Sequence, residues 1–153
     1  IGVFPVRMPG YIDRPQLVTW TAPGELRIDE FLRWAEPLDA GITRTVAENL
    51  DTYWRGVAGA LVSGLESSDE SEYGGEILEW VALGVARMLY TYETGDVVSK
   101  SGAGRWAAER IPDHADVFSR AVEVRARPAS VGRDVLVRAA KVTVEIVDAV
   151  VSR

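Results

Sequence analysis

The chain has 153 residues, of which 47% are hydrophobic and 26% charged, an ordinary globular composition that excludes a disordered or collagen-like chain. Its formal net charge is −6, so its surface as a whole repels phosphates and we expect no nucleic-acid partner. With one histidine and no cysteine, it offers neither a thiolate zinc site nor a disulfide framework. No segment approaches the roughly 20 apolar residues that cross a bilayer, so we expect no membrane insertion.

The N-terminal part of the chain is predicted to be rich in β-strand. Residues 16–20 (QLVTW) are β-branched and aromatic, as strands prefer. Residues 25–29 alternate between polar and apolar after the turn signal Pro23-Gly24. Residues 1–15 carry short apolar runs between prolines and glycines, which we interpret as further short strands and turns.

After Pro37 the apolar residues follow helical spacing. The predicted helices run from Leu38 to Leu65, from Ile77 to near Gly95, from Ser99 or Ser101 to Ile111, from Asp113 to before Pro128, and over about residues 131–152. Ser99 or Ser101 and Asp113 are the predicted N-caps, since their side-chain oxygens can accept from free amides. The predicted fold class is therefore mainly α, a bundle of about five helices preceded by a small β-rich N-terminal segment.

Acidic residues gather where the second predicted helix gives way to the third. The run over residues 69–76 can attract a cation or a cationic ligand, although such runs more often form solvated loops. Trp80 lies near Glu76 and Glu79, so the three residues can line a pocket for an amine by cation–π contact and charge attraction. Core packing of the indole is the commoner alternative. No set of residues completes a catalytic or metal-binding constellation.

Two motifs in the helical part carry a family resemblance. Residues 85–100 (VARMLYTYETGDVVSK) and 104–112 (GRWAAERIP) resemble the C-terminal helical domain of streptomycin/spectinomycin-type aminoglycoside adenylyltransferases, and the similarity covers about residues 51–153. The resemblance implies that Lys100, in the Ser-Lys pair, contacts nucleotide phosphates. It implies ATP with Mg²⁺ as the cofactor and an aminoglycoside as a small cationic ligand. A lysine in a helix-start turn suits a polyphosphate because it is a mobile point charge.

The sequence departs from this family at two ligand-binding positions. Where the family has an acidic residue before the long helix, the aligned residue is Ile77, with Glu76 and Glu79 as neighbours. A tyrosine late in a following helix is replaced by Arg125. The candidate substrate-binding residues are therefore Glu76, Glu79, Trp80 and Arg125.

The resemblance also bears on catalysis. In that family the carboxylates that hold magnesium lie in a separate N-terminal domain. Nothing in residues 1–50 replaces them, because no acidic pair there lies on a strand that follows a Gly-Ser turn. We therefore expect a non-catalytic, ligand-binding helical module without a tightly bound cofactor, and this half of the chain favours a cytoplasmic location.

Residues 1–50 resemble a different family. The motifs at 11–18 (YIDRPQLV) and 33–39 (RWAEPLD) are similar to those of ABC-type transport auxiliary lipoproteins of the bacterial envelope, which implies the periplasm instead. A chimeric, engineered or computer-generated chain joined at residues 50 and 51 is our hypothesis for the two likenesses. The alternative function is non-enzymatic protein interaction, as an inhibitor, an antitoxin-like protein or a transport auxiliary component. Its N-terminal strands would then pair with a protein partner or a second copy.

Overall fold

The computed structural model describes residues 7, 16–23, 25–33 and 37–152. The strands predicted before residue 16 lie outside these residues, apart from Arg7. The structure is mainly α, with short N-terminal strands, and this confirms the predicted fold class.

The N-terminal strands form an antiparallel hairpin. Strand β1 (Gln16–Ala22) pairs with β2 (Glu25–Arg33), and the register shifts once near each end of β1. Within the described residues, β1 and β2 make a sheet of two strands, as the alternation and the Pro23-Gly24 turn signal predict.

The helices begin at α1 (Leu38–Asn49), which continues through a π-helical segment (Leu50–Trp54) into α2 (Arg55–Glu66). The bounds of the remaining helices are α3 (Gly75–Thr94), α4 (Lys100–Arg110), α5 (Ala115–Ala126) and α6 (Arg133–Val151). If α1, the π segment and α2 are taken as one rod, five helical rods result, in agreement with the sequence. The helix runs unbroken through residues 50 and 51, where the join of two families is predicted, and the join itself stays a prediction.

Helix α3 is the centre of the bundle and packs against α4, α5 and α6. Six of its residues have no exposed surface: Leu78, Val81, Ala82, Leu83, Val85 and Ala86. They point in several directions around the helix, so α3 is covered on more than one side. Its length and position make it the element that carries side chains to both ends of the bundle.

Two glycines, Gly84 and Gly104, allow close helix contacts around α3. A Cβ at Gly84 would lie 2.1 Å from the Trp54 ring, so glycine lets the π segment approach α3. At Gly104 in α4, a Cβ would lie 2.6 Å from both Leu83 and Val122. Helices α3, α4 and α5 therefore converge at Gly104.

Most helix ends lie close to where the sequence predicts them, and the exception is the start of α5. Gly95 ends α3 in the left-handed conformation with φ of 74°, and the Ser99 side chain caps α4 by accepting from the Gly102 amide. The prediction that Asp113 caps α5 was wrong. Residues Pro112–His114 form a 3₁₀ turn, and His114 is the N-cap without a side-chain hydrogen bond.

The described residues contain a second small sheet that the sequence did not predict. Strand β3 (Glu72–Gly74) pairs antiparallel with β4 (Ser130–Gly132), directly before α3 and α6. Each strand has three residues, too few to show an alternating pattern. The pairing fixes the starts of α3 and α6 side by side. Across the described part of the chain, no helix combines the length and apolar character that crossing a bilayer requires.

Candidate functional site

Three of the five candidate residues meet near the start of α3. The Lys100 Nζ donates to Glu79 Oε1 at 3.1 Å, and Arg125 Nη1 donates to the same oxygen. Lys100 is the first residue of α4, and Arg125 lies in the last turn of α5. We call Glu79, Lys100 and Arg125 the cation pair site, because two cations from separate helices converge on one carboxylate oxygen.

Burial and local structure hold this site in place. The side chains of Glu79 and Lys100 are 22% and 28% exposed, so solvent screens their attraction less than that of a surface pair. Lys100 follows the capping residue Ser99, and the free amides at the start of α4 add a partial positive charge beside the ammonium group. Together these groups carry one more positive charge than Glu79 neutralises.

The pKa of Glu79 reports the same surroundings. Burial by itself raises this pKa, but the hydrogen bonds and charges of Lys100 and Arg125 outweigh it and hold the pKa below the usual 4.5. The carboxylate is therefore ionised at neutral pH and accepts from both cations.

We expect the stabilising effect of Glu79 to depend on pH. Because its pKa is lower in the folded state, its contribution is fully present above about pH 4.5 and is lost as the pH falls through the folded-state value. Urea unfolding at pH 7, 5, 4 and 3 should show wild type more stable than Glu79→Gln at pH 7 and the difference shrinking below pH 4.5. A difference that stays constant down to pH 3 would contradict the ion pairing.

Trp80 lies on another face of α3 and belongs to an aromatic cluster. Its ring is 5.8 Å from that of Trp54 and 6.5 Å from that of Tyr53, the latter in an edge-to-face arrangement. Trp54 is buried, whereas Tyr53 and Trp80 are 48% and 45% exposed. Trp80 therefore lies at the edge of the core. Its ring combines the packing of a core residue with the exposure that contact with an amine requires.

Glu76 is exposed at the start of α3 and turns back over Gly74, where a Cβ would lie 2.2 Å from its Oε1. It does not join the cation pair site. The neighbouring acidic loop is anchored by Arg133, which donates to the carbonyl oxygens of Ser68 and Glu70. Among the described residues, no group of three or more acidic or histidine side chains is arranged to hold a metal ion.

Sequence reasoning missed a buried ion pair at the other end of α3. Glu93 accepts from Arg110 Nε at 2.9 Å and from Arg110 Nη2 at 3.1 Å, a bidentate pair with the Glu93 side chain only 7% exposed. A signal was present in the sequence. Glu93 continues the apolar stripe of Val81, Val85 and Leu89 by one more step of four residues, which places its side chain toward the core.

Family models match both parts of the chain. The model of the aminoglycoside adenylyltransferase C-terminal domain matches residues 56–149, more than half of the chain, and the chain therefore belongs to that family. The model of the ABC-type transport auxiliary lipoprotein component matches residues 1–68, which makes the N-terminal part similar to that family. Both resemblances inferred from the sequence are confirmed. Comparisons with curated proteins and with solved structures give no match.

Proposed function

We propose that this chain is a non-catalytic helical module that binds an anionic ligand, the phosphates of a nucleotide, through Lys100 and Arg125. The observation that carries the proposal is the convergence of Lys100 Nζ and Arg125 Nη1 on a single oxygen of Glu79. Two cations that reach one carboxylate oxygen also reach one phosphate oxygen placed there. The family resemblance implies the same role for Lys100, which lies within the matched residues 56–149.

The two cations suit different aspects of phosphate binding. Arginine offers a planar fork of donors, and lysine offers a compact charge on a flexible stem. The partial positive charge at the start of α4 adds to both. By themselves, the Lys100 and Arg125 side chains position an anion and neutralise its charge. This is a role in binding.

The predicted cofactor is ATP with Mg²⁺. The charge of the cation pair site suits the phosphates of ATP. Mg²⁺ prefers oxygen ligands, and the site offers one carboxylate, whose Oε1 already accepts from two cations. We therefore assign the phosphates to Lys100 and Arg125 and assign the metal ion no ligand here.

The same geometry argues against Glu79 as the partner of a cationic drug. Its carboxylate accepts from two cations of the chain, so an aminoglycoside amine would compete with both. Glu76 and Trp80 stay as candidates for such an amine, because both are exposed near the start of α3.

Calorimetric titration with pyrophosphate and with ATP tests the proposal. We expect Lys100→Ala to weaken binding by about tenfold or more, since a hydrogen bond to a charged group contributes about 1.5–3 kcal/mol. Lys141→Ala is the matched control, because its side chain is 70% exposed and pairs with Glu145 on α6. Equal affinities of wild type and Lys100→Ala, or no binding of either anion to wild type, would refute the proposal.

One observation favours a second candidate, protein interaction through the N-terminal strands. In the described residues β1 and β2 pair only with each other, and a two-stranded hairpin is marginally stable by itself. Pairing with a protein partner or a second copy would extend the sheet. A dimer mass by light scattering, lost when proline replaces Thr21 in β1, would support this candidate, and a monomer at high concentration would count against self-association.

A further inference from the structure

A cavity of about 320 Å³ lies at the end of the bundle away from the cation pair site. It is bounded by the last turns of α3, the end of α4, the 3₁₀ turn and the C-terminal half of α6. Glu93 on its wall and Glu79 are 14 residues apart on α3, or about 21 Å along the helix axis. The volume is at the lower end of the range for small-molecule sites.

The walls of this cavity are mostly apolar. Leu89 of α3 and the α6 residues Val142 and Ile146 are buried core residues that also face the cavity. Ala149 lies one turn further along α6 and is exposed at the mouth. A ligand with an apolar body therefore finds a matching surface here.

The polar groups of the cavity are arranged in two levels. Inside, the Glu93 carboxylate is neutralised by the two hydrogen bonds from Arg110. At the mouth are Asp113, which is exposed, and Glu145, whose side chain is 48% exposed. Of the described residues that line the cavity, three are carboxylates and one is a cation, so the mouth carries excess negative charge.

The carboxylates of Asp113 and Glu145 at the mouth keep oxygen atoms that can accept a hydrogen bond from a ligand. Glu145 Oε2 is 2.7 Å from His114 Nε2, whereas its Oε1 is 3.8 Å from the exposed Lys141 ammonium, too far for a hydrogen bond. Asp113 forms no ion pair with another residue in the part of the chain that the structure describes. Glu145 Oε1 has the exposed Lys141 ammonium as an ion-pair partner but accepts no hydrogen bond from it, so Glu145 Oε1 and the Asp113 carboxylate can each accept from a donor in solution.

We propose that this cavity is a second binding site, which takes a small amphipathic amine. Its ammonium group binds the carboxylates of Asp113 and Glu145 at the mouth, and its apolar body lies against Leu89, Ile146 and Ala149. The bidentate Glu93–Arg110 pair closes the polar part of the cavity without leaving a net charge inside. This site is independent of phosphate binding at Lys100 and Arg125.

Three probes with the same ring and different end groups test the assignment. They are cyclohexylmethylammonium, cyclohexylmethanol and cyclohexanecarboxylate, and the readout is the NMR shift of methyl groups in isotope-labelled wild-type protein. We expect the ammonium to bind about tenfold more tightly than the alcohol, because its hydrogen bonds are charge-assisted. The carboxylate should bind more weakly than either, and the shifts should centre on the methyl groups of Ile146 and Ala149.

Two variants locate the binding and its charge dependence. Ala149→Leu places a larger side chain at the exposed mouth and should abolish ammonium binding without disturbing the core. Asp113→Asn should weaken ammonium binding severalfold, whereas Asp69→Asn, the same charge change in the distant acidic loop, should leave it unchanged. Failure of the ammonium to bind, equal affinity of the carboxylate, or unaltered binding by Ala149→Leu would each overturn the proposal.

Discussion

Replacing Phe118 by alanine is expected to lower the free energy of unfolding by about 3–5 kcal/mol. Phe118 of α5 is fully buried in the hydrophobic core. Its backbone oxygen lies 3.7 Å from the Cβ position of Gly104, where α3, α4 and α5 converge. The substitution removes a whole buried aromatic ring from the hydrophobic core. Because three helices hold the surrounding atoms in place, the cavity that remains cannot close fully.

Urea unfolding measured by circular dichroism checks this prediction. Val97→Ala is the control, since Val97 is 77% exposed and its truncation should change stability by less than about 0.5 kcal/mol. Should the alanine variant fail to fold, Phe118→Leu retains most of the volume and is expected to cost about 1 kcal/mol. A loss below about 1 kcal/mol for Phe118→Ala would mean that α5 does not pack against α3 and α4 as described.

Replacing Glu79 by glutamine is expected to raise the affinity for pyrophosphate by about tenfold to a hundredfold. In the free protein the Glu79 carboxylate accepts from both Lys100 and Arg125, so an incoming anion must displace it. The amide keeps the shape of the side chain but removes the charge that competes with the ligand. The same change should lower the free energy of unfolding at pH 7, because the two cations then repel each other without a counter-charge.

Titration calorimetry and urea unfolding on the same variant measure these two opposite effects. Glu66→Gln is the control, because it makes the same change in net charge at an exposed site at the end of α2. If Glu79→Gln binds pyrophosphate more weakly than wild type, Glu79 positions the two cations rather than competing with the ligand. Absence of binding in both proteins would instead refute the proposed function.

Much of the helical framework could be predicted from the sequence because helix signals are local. Gly95 marks the end of α3 and Ser99 caps α4, as their residue types indicate. The π segment and the β3–β4 pair were missed. A π turn keeps helical residue types, and three-residue strands are too short to alternate. The Asp113 prediction failed because Pro112 starts a separate 3₁₀ turn, which shifts the start of α5.

The candidate site was predictable one residue at a time. The family resemblance implied Lys100, and the departures from the family pattern pointed to Arg125 and Glu79. Their meeting was not predictable, since Lys100 and Arg125 are 21 and 46 residues from Glu79 in the sequence. No residue pattern on α3, α4 or α5 specifies how these three helices are placed against one another.

The sequence by itself determined the mainly α class, the family resemblances of both parts and the residue types of the candidate site, because each depends on neighbours along the chain. Tertiary structure alone decided that Glu79 faces two cations of the chain, and that Glu93 and Arg110 form a buried pair beside a cavity. Electrostatic partners are set by distances of a few ångströms between helices. Those distances follow from how the bundle packs around α3 and not from spacing in the sequence.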